Sequence, residues 1–454
     1  MKRVYLFICL GTIVFLAACE SLVKVDYPTN QIGTTQVFED VNTANAALAG
    51  IYEQLQRRSV TEGTSIYGPL LLGSYTDELD SYHFEQHILD IYTNQLIETN
   101  SIIKTCWDIV YMQIYYANSI IYGAENSTAL SGPDKNRIKG EALLIRTLLY
   151  FYLQQMFGDI PYTTSLDYEY NRTIHKTEAP AVLEQLEADL REAVGLLEDD
   201  YRDAERIYPN RKVAQLLLAR IYLTGHKYEQ AGQMANEILQ SSLYEFEDDI
   251  NEVFHKSGRH ILWQLKPQNS GDATKEATYY HFTGVAPSNI FTLTPDLVNS
   301  FADDDLRRQA WVAEVTVDEN TWFRPYKYKI RMNNTTEYSV FSRLEEACFI
   351  MAEALAKQNR VDEALPYLNA TRVRAGLTAL TSLSEADFID ELLAEKRREF
   401  FTEHCHRFFD LKRAGRLNDL SRVKPNWEEY KSVLPLPQSE LLMNPNLYPQ
   451  NSGY

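Results

Sequence analysis

Four clusters of side chains have the types and closeness that chemistry requires: His404-Cys405-His406, the carboxylates Asp77 and Glu78, the acidic run Asp303-Asp304-Asp305, and the basic run Lys396-Arg397-Arg398. The first offers three metal-binding atoms, but successive residues of a helix project in different directions and do not converge on one ion, so no metal site is expected. The second has the chemistry of a glycosidase acid and base, whose carboxyl groups stand about 5 to 10 Å apart; any acidic chain offers such neighbours. The third has no glycine-turned ligand loop around it, so a polar helix end is expected rather than a calcium site. Around the fourth, Glu395 and Glu399 flank the cations at helical spacing and predict a solvated or salt-bridged face. Gly-x-Ser-x-Gly, a phosphate-binding glycine loop, His-Glu-x-x-His and a dinucleotide fingerprint are all absent from the sequence. The chain is therefore expected not to be an enzyme and to need no cofactor.

Aromatic residues carry the remaining signal. Their flat faces give apolar contact at low entropy cost to sugar rings or peptides, with polar neighbours setting orientation. Trp107 lies on a helical stripe and Trp263 inside an apolar run, so both are expected in the core. Tyr82, His83, Tyr92, Trp311, Trp322 and Phe323 have no such stripe and are the candidate ligand-binding residues.

The elements around them are mostly helical. Residues 46–56 read as a short helix; Ile103, Trp107, Val110 and Ile114 mark another. Between these, 63–100 is an aromatic loop region, only partly helical. Ile138, Ala142, Ile145, Leu149, Tyr152 and Met156 keep a stripe for five turns, stopped by Gly158 and Pro161. Leu183, Leu186, Leu190, Val194 and Leu197 give the next helix, and Asn210 caps a nearly all-apolar, hence buried, helix over 213–223. Its return helix, 228–239, forms a hairpin that recurs at 340–374, where Ala352 and Ala364 keep the spacing of Ala219 and Ala231. Small residues twelve apart let paired helices approach closely, a spacing similar to the tetratricopeptide repeat. Ser384 and Asp387 open a last long helix through Phe401.

The expected architecture is thus mostly α, with tetratricopeptide-like helix pairs forming a curved scaffold that carries an irregular, partly β insertion. Its expected divisions are a signal at 1–18, a lipidated cysteine and extended tether at 19–45, an N-terminal helical scaffold at 46–242, the insertion with ligand loops at 243–335, and a C-terminal scaffold with an irregular tail at 336–454. Strands are expected at 261–265 and 326–330.

Composition narrows the class. The apolar fraction of 45% fills a proper core, and the formal charge of -19 argues against nucleic acid or an anionic lipid surface as a partner. At the N-terminus, Lys2-Arg3 precedes an apolar run over 4–15, too short to span a bilayer, and Leu16-Ala17-Ala18-Cys19 closes it. That ending resembles the lipobox of bacterial lipoproteins, in which the signal is cut before the cysteine and the cysteine is acylated. Cys19 would then be the first mature residue and the membrane anchor. Cys106, Cys348 and Cys405 remain as an odd set on apolar helical faces, expected as buried free thiols.

Over nearly the whole mature chain the motifs resemble the SusD/RagB family of nutrient-uptake outer-membrane lipoproteins. They begin with Asp26-x-Pro28-Thr29-Asn30, the run 46–52, then Trp107, Tyr111 and Asn118. Gly140-Glu141-Ala142, Arg146 and the run 157–161 form the densest block. The runs 218–223 and 343–346, Arg372-x-Arg374-Ala375-Gly376, the runs 395–399 and 406–411, and the ending from Asn444 to Tyr454 complete it. The resemblance implies a protein on the outer face of the outer membrane that captures oligosaccharide, or in some members peptide. It would deliver that ligand to a SusC-like TonB-dependent transporter as a hinged lid. It implies no ligand-binding residue, because the family's binding loops carry no motif that aligns here. A secreted glycoside-processing enzyme and a purely structural surface protein are the competing readings.

Overall fold

The computed structural model describes residues 34–61 and 68–454; the signal segment and Cys19 lie outside the described residues. The first long helix, α1 (Val41–Arg57), starts ahead of the expected residue 46 because the Asp40 carboxylate accepts from the backbone N–H groups of Asn42 and Thr43. Asn100 caps α2 (Ser101–Asn126) and Ser131 caps α3 (Gly132–Phe157), which ends at Gly158 with φ +76°. The six stripe residues of α3 are all buried. After α4 (Ala179–Leu196), Asn210 caps α5 (Arg211–Thr224), and α6 (Tyr228–Leu239) returns beside it. Then follow α7 (Leu344–Ala356), α8 (Val361–Arg374) and α9 (Glu385–Phe400), with Ser384 capping the last.

Each of these helices from α2 onward packs on its successor, and α6 packs on α7 although residues 240–343 intervene. The two hairpins separated in sequence are therefore adjacent layers of one stack. Ala219, Ala231, Ala352 and Ala364 are all fully buried at their crossings. The Gly140 position at the α3–α4 crossing shows how tight this packing is: a Cβ there would sit 2.9 Å from Leu197 Cγ. No described helix is long and apolar enough to cross a membrane.

The intervening residues build two small sheets. One pairs β2 (Ile261–Leu265) with β6 (Ser339–Arg343), and Trp263 of β2 is fully buried against the helical core. The other has the order β1-β3-β5-β4, all antiparallel, from β1 (Leu79–Ser81), β3 (Phe291–Leu293), β4 (Val312–Val317) and β5 (Asn320–Pro325). β1 comes from the aromatic stretch expected to be loop, which also holds short helices at Gly68–Tyr75 and Gln86–Tyr92. A second core of Phe254, Tyr280, Phe291, Leu297, Trp311 and their neighbours lies under this sheet.

Residues 326–330 are not the expected strand. Lys327 turns inward, and its ammonium donates to the carbonyls of Glu399 and Phe401 and to the Glu403 carboxylate at 2.6–2.9 Å. That cation belongs to a buried ionic network that fixes the insertion to the helices. The Arg307 guanidinium binds Asp305, Glu395 and Glu399; Arg343 binds Glu345, Glu399 and Glu403; Arg374 binds Glu345 and Glu399. Burial alone would raise the Glu399 carboxyl, yet Arg374, Arg343 and Arg307 together hold it well below the usual carboxylate range.

This network bears on two expectations: the 395–399 segment is salt-bridged and the acidic run does end at a helix, but Glu395, Glu399 and Asp305 are buried. The 395–399 segment is not a solvated face: Glu395 and Glu399 are fully buried, and most of their partners are arginines from other elements, with Arg398 a local partner of Glu395. Asp305 does cap a short helix, at Leu306–Ala310, but it is buried rather than presented to solvent. Around α9, Lys396 reaches Asp410 at 2.5 Å and Arg397 reaches Asp77 and Asp296. His404 is likewise interior, its ring nitrogens 2.9 Å from the Val340 carbonyl and 3.2 Å from that of Thr61. Cys106, Cys348 and Cys405 are buried free thiols.

Candidate functional site

The sheet places the candidate aromatics by alternation. Along β5, Trp322 pairs with Val315 and Phe323 with Glu314, and neighbouring side chains leave opposite faces of a strand. Trp322 is half-buried and its indole N–H donates to the Tyr82 hydroxyl at 2.9 Å, joining two residues 240 positions apart in sequence. Phe323 packs against the second core, with the Arg308 guanidinium 4.9 Å from its ring centre. Trp322 and Phe323 therefore do not form one platform.

Tyr82 continues from β1, where its N–H donates to the Ile290 carbonyl at 2.9 Å. His83 is folded onto Phe291 with ring centres 4.6 Å apart, and burial lowers its pKa further than Glu85 raises it. Phe84, next in line, is 76% exposed. Trp311, the remaining tryptophan of the set, is core. It is buried, its N–H donates to the Ile250 carbonyl at 3.0 Å, and it meets Phe254 edge-on at 5.4 Å. The sequence places it just past the short helix, but only the fold shows that it turns inward.

Tyr92 opens a different wall. Its hydroxyl donates to Asp80 at 3.0 Å, and the Lys424 ammonium lies 4.2 Å from its ring centre. Burial raises the Tyr92 phenol, and Asp80 and Tyr82 raise it further, so it stays a protonated donor. Together with Asn94, Asp296 and Asn426 these residues line a cavity of ≈ 320 Å³. Asn94 is the informative member: its amide N–H donates to the Tyr75 carbonyl at 2.9 Å, while its buried Oδ1 has no hydrogen-bond partner. A buried acceptor left unpaired is costly unless a ligand or water completes it.

Asp77 and Glu78 sit at the back of this region in opposite states. Burial would raise the Asp77 carboxyl, but Arg397 and Arg407 outweigh it and hold it below its ordinary value; Arg407 reaches it at 2.6 and 2.8 Å. Glu78 has no such clamp, and burial, reinforced by the Asp77 charge, pushes it up to about 8. Asp77 is bound into the scaffold and Glu78 is buried, so the pair has not the form of two carboxyl groups flanking a bound sugar. Among the described residues no group of His, Cys, Asp or Glu is arranged to hold a metal ion.

Tyr82 and Trp322 are thus joined, Tyr92 lies beside Asp80, Phe323 packs against the second core, His83 is folded onto Phe291, and Trp311 is withdrawn. Asp80, Asn94, Lys424 and Asn426 complete the cavity without having been singled out by sequence. Lys424 and Asn426 carry no local pattern, since their role depends on a return of the chain more than three hundred residues after Asp80. Phe84 was legible as one more loop aromatic.

Comparison with known proteins bears on this arrangement. Residues 28–223 match a family described as SusD-like, starch-binding and associating with the outer membrane, and residues 317–454 match the SusD family. A SusD-like protein, P25, of Formosa agariphila is 23% identical over 96% of this chain and 97% of its own length. Among solved structures, a laminarin-binding SusD-like protein superimposes with a TM-score of 0.78 at 21% identity, covering 91% of this chain and 99% of that one. A surface glycan-binding protein A from Bacteroides thetaiotaomicron, solved with laminarihexaose, gives 0.76 at 18% identity, covering 90% and 99%.

Proposed function

From the chain's membership of the SusD/RagB family, we propose that it is a non-catalytic surface lipoprotein that captures oligosaccharide. It hands that ligand to a SusC-like TonB-dependent transporter. The observation that carries the reading is the Tyr92 cavity, lined by Asp80, Lys424 and Asn426, together with the Trp322–Tyr82 pair of the same sheet region. Aromatic faces beside fixed polar groups suit a sugar, whose C–H faces stack while its hydroxyls take hydrogen bonds. Two structural neighbours named for laminarin or glycan binding support the ligand class.

A site of a few aromatic contacts, each worth about 0.5 to 1.5 kcal/mol, binds in the millimolar to micromolar range. Capture that weak leaks unless a second protein covers the ligand, and this is the reason to read the chain as a lid on its transporter. An acylated Cys19 tethers the chain to the outer membrane.

Native gels cast with starch, laminarin, xylan, pectin, alginate or ulvan test the ligand reading. At least one polysaccharide should retard the wild type, and Tyr92→Ala or Trp322→Ala should reduce the retardation. Release of reducing ends would favour the enzyme reading, and migration unaffected by all six would favour the structural one. Cys19→Ser should leave the membrane fraction.

A further inference from the structure

The largest cavity among those described lies away from the sheet. It is a groove of ≈ 730 Å³ between the outer side of α2, the loop 161–174 and the C-terminal segment 440–447. Trp107 and Tyr111 form its floor, Tyr115 and Tyr168 its walls. Tyr115 is 46% and Tyr168 74% exposed, large aromatic faces that no packing accounts for.

The floor is rigid before anything binds. The Tyr111 hydroxyl donates to the Pro161 carbonyl at 2.8 Å, and Tyr150 and Asn118 donate to that of Thr163 at 2.9 and 3.1 Å. At the opposite side Asn444 donates to the Ile174 carbonyl at 2.8 Å, fastening the C-terminal segment to the loop. The groove is therefore preorganised, so a ligand loses little by ordering it.

Its polar lining sets the carboxylates of Asp108 and Glu440 and the Arg172 guanidinium among amides and hydroxyls such as Asn118, Asn171 and Ser165. Burial together with the Asp108 charge raises the Glu440 carboxyl, against the Lys104 charge and a hydrogen bond from the Trp107 side chain, which lower it. Asp108 stands at the same rim, paired with Lys104. Flat aromatic faces among mixed donors and acceptors fit a polyhydroxylated chain, whose ring faces stack while its hydroxyls both give and take hydrogen bonds.

The groove lies along the same two stretches of chain as the first site. The cavity at Tyr92 is lined by 92–94 and 423–426, and the groove by 107–118 and 440–447, consecutive parts of the same two segments. Between them Gln438 is bonded to Glu98 through both backbone and side chain.

We infer that this groove is a second oligosaccharide-binding site, one that engages a long glycan at the same time as the Tyr92 cavity. The inference rests on the glycan-binding reading above. Two weak sites joined on one polymer strengthen its capture without any new contact, because the second encounter is intramolecular.

The test uses the full mature chain and whichever of the six polysaccharides retards it, together with the hexasaccharide of that polymer. Calorimetry should find two hexasaccharides per wild-type chain and one for Tyr115→Ala/Tyr168→Ala, whose exposed side chains leave folding intact. Tyr92→Ala/Trp322→Ala should keep the other. The groove variant, and Glu440→Gln more weakly, should lose roughly tenfold in affinity for the polymer. A wild type that binds one hexasaccharide, or a groove variant unchanged in stoichiometry and polymer affinity, overturns the second site and leaves the first standing. A groove variant that binds both hexasaccharides but no longer co-purifies with a membrane partner also overturns it, making the groove a protein contact. Retardation by none of the six removes the glycan reading, and this inference falls with it.

Discussion

The ionic interior around α9 and the cavity beside β1 use the same functional groups to opposite ends. In the interior, Glu399 meets three guanidinium groups from three elements, and nearly every charge is neutralised by neighbours that hold it out of water. In the cavity, Asp80, Tyr92 and Lys424 pair loosely around space. The first arrangement gives a scaffold that cannot rearrange without exposing buried charge; the second leaves bonding capacity for something outside the chain. Family resemblance falls on the first: Arg146 binds Asp189 and Asn118, Arg220 binds Glu346 in a bidentate pair at 2.8 and 2.9 Å, and Arg374 and Glu399 meet in the network. These charged motifs are joints between helices, which is why they identify the fold without naming what is bound.

Substitutions that strand charge should separate the two regions most sharply. Glu399→Ala leaves Arg307, Arg343 and Arg374 with an incomplete counter-charge and should cost about 3–5 kcal/mol, seen as a large fall in Tm or loss of soluble protein. A melting temperature within a degree or two of wild type would show that the network is not structural.

Between the two regions stands Glu78. Its folded-state pKa of about 8 lies above the ordinary 4.5, so the folded protein keeps a proton that the unfolded chain releases. The resulting stability is complete below about pH 4.5 and is lost as pH rises toward 8, on the order of 1 kcal/mol per pH unit across that window. Glu78→Gln should flatten that slope in a series of thermal melts; a slope identical to wild type would place the proton elsewhere.

The helix crossings should respond less. Ala219→Leu or Ala352→Leu overpacks a contact with no spare room and should cost about 1–3 kcal/mol in denaturant unfolding. Smallest in free energy, and opposite in kind, is Trp322→Ala. It should weaken glycan binding by about 0.5–1.5 kcal/mol with little change in Tm, because the side chain is half-buried at the sheet surface. If Trp322→Ala unfolds the chain as Glu399→Ala does, the division between scaffold and site disappears.

Much of the helical stack was legible because its determinants are local. The α3 stripe, the caps Asn210 and Ser384, Gly158 and the alanines twelve apart each act within a few turns, and the helices that they specify are present. The adjacency of α6 and α7 was not legible, since the chain between them folds into its own core and no periodicity spans it. Of the candidate aromatics, Tyr82, Tyr92 and Trp322 are partly exposed, while Trp311 has the same composition around it and turns inward. The groove at Trp107 escaped notice because a helical stripe at Ile103, Trp107, Val110 and Ile114 reads as core. Trp107 is indeed 3% exposed, yet the loop 161–174 and the C-terminal segment leave a concavity over it.

By itself the sequence determined most of the long helices and the family, because propensity, capping and motif order are properties of neighbours along the chain. Which charges meet, which tryptophan is buried and where acceptors stay open were decided only by tertiary structure. Those outcomes depend on segments hundreds of residues apart, Asp80 with Lys424 or Arg343 with Glu403, whose encounter follows from the completed packing of the helices and the insertion.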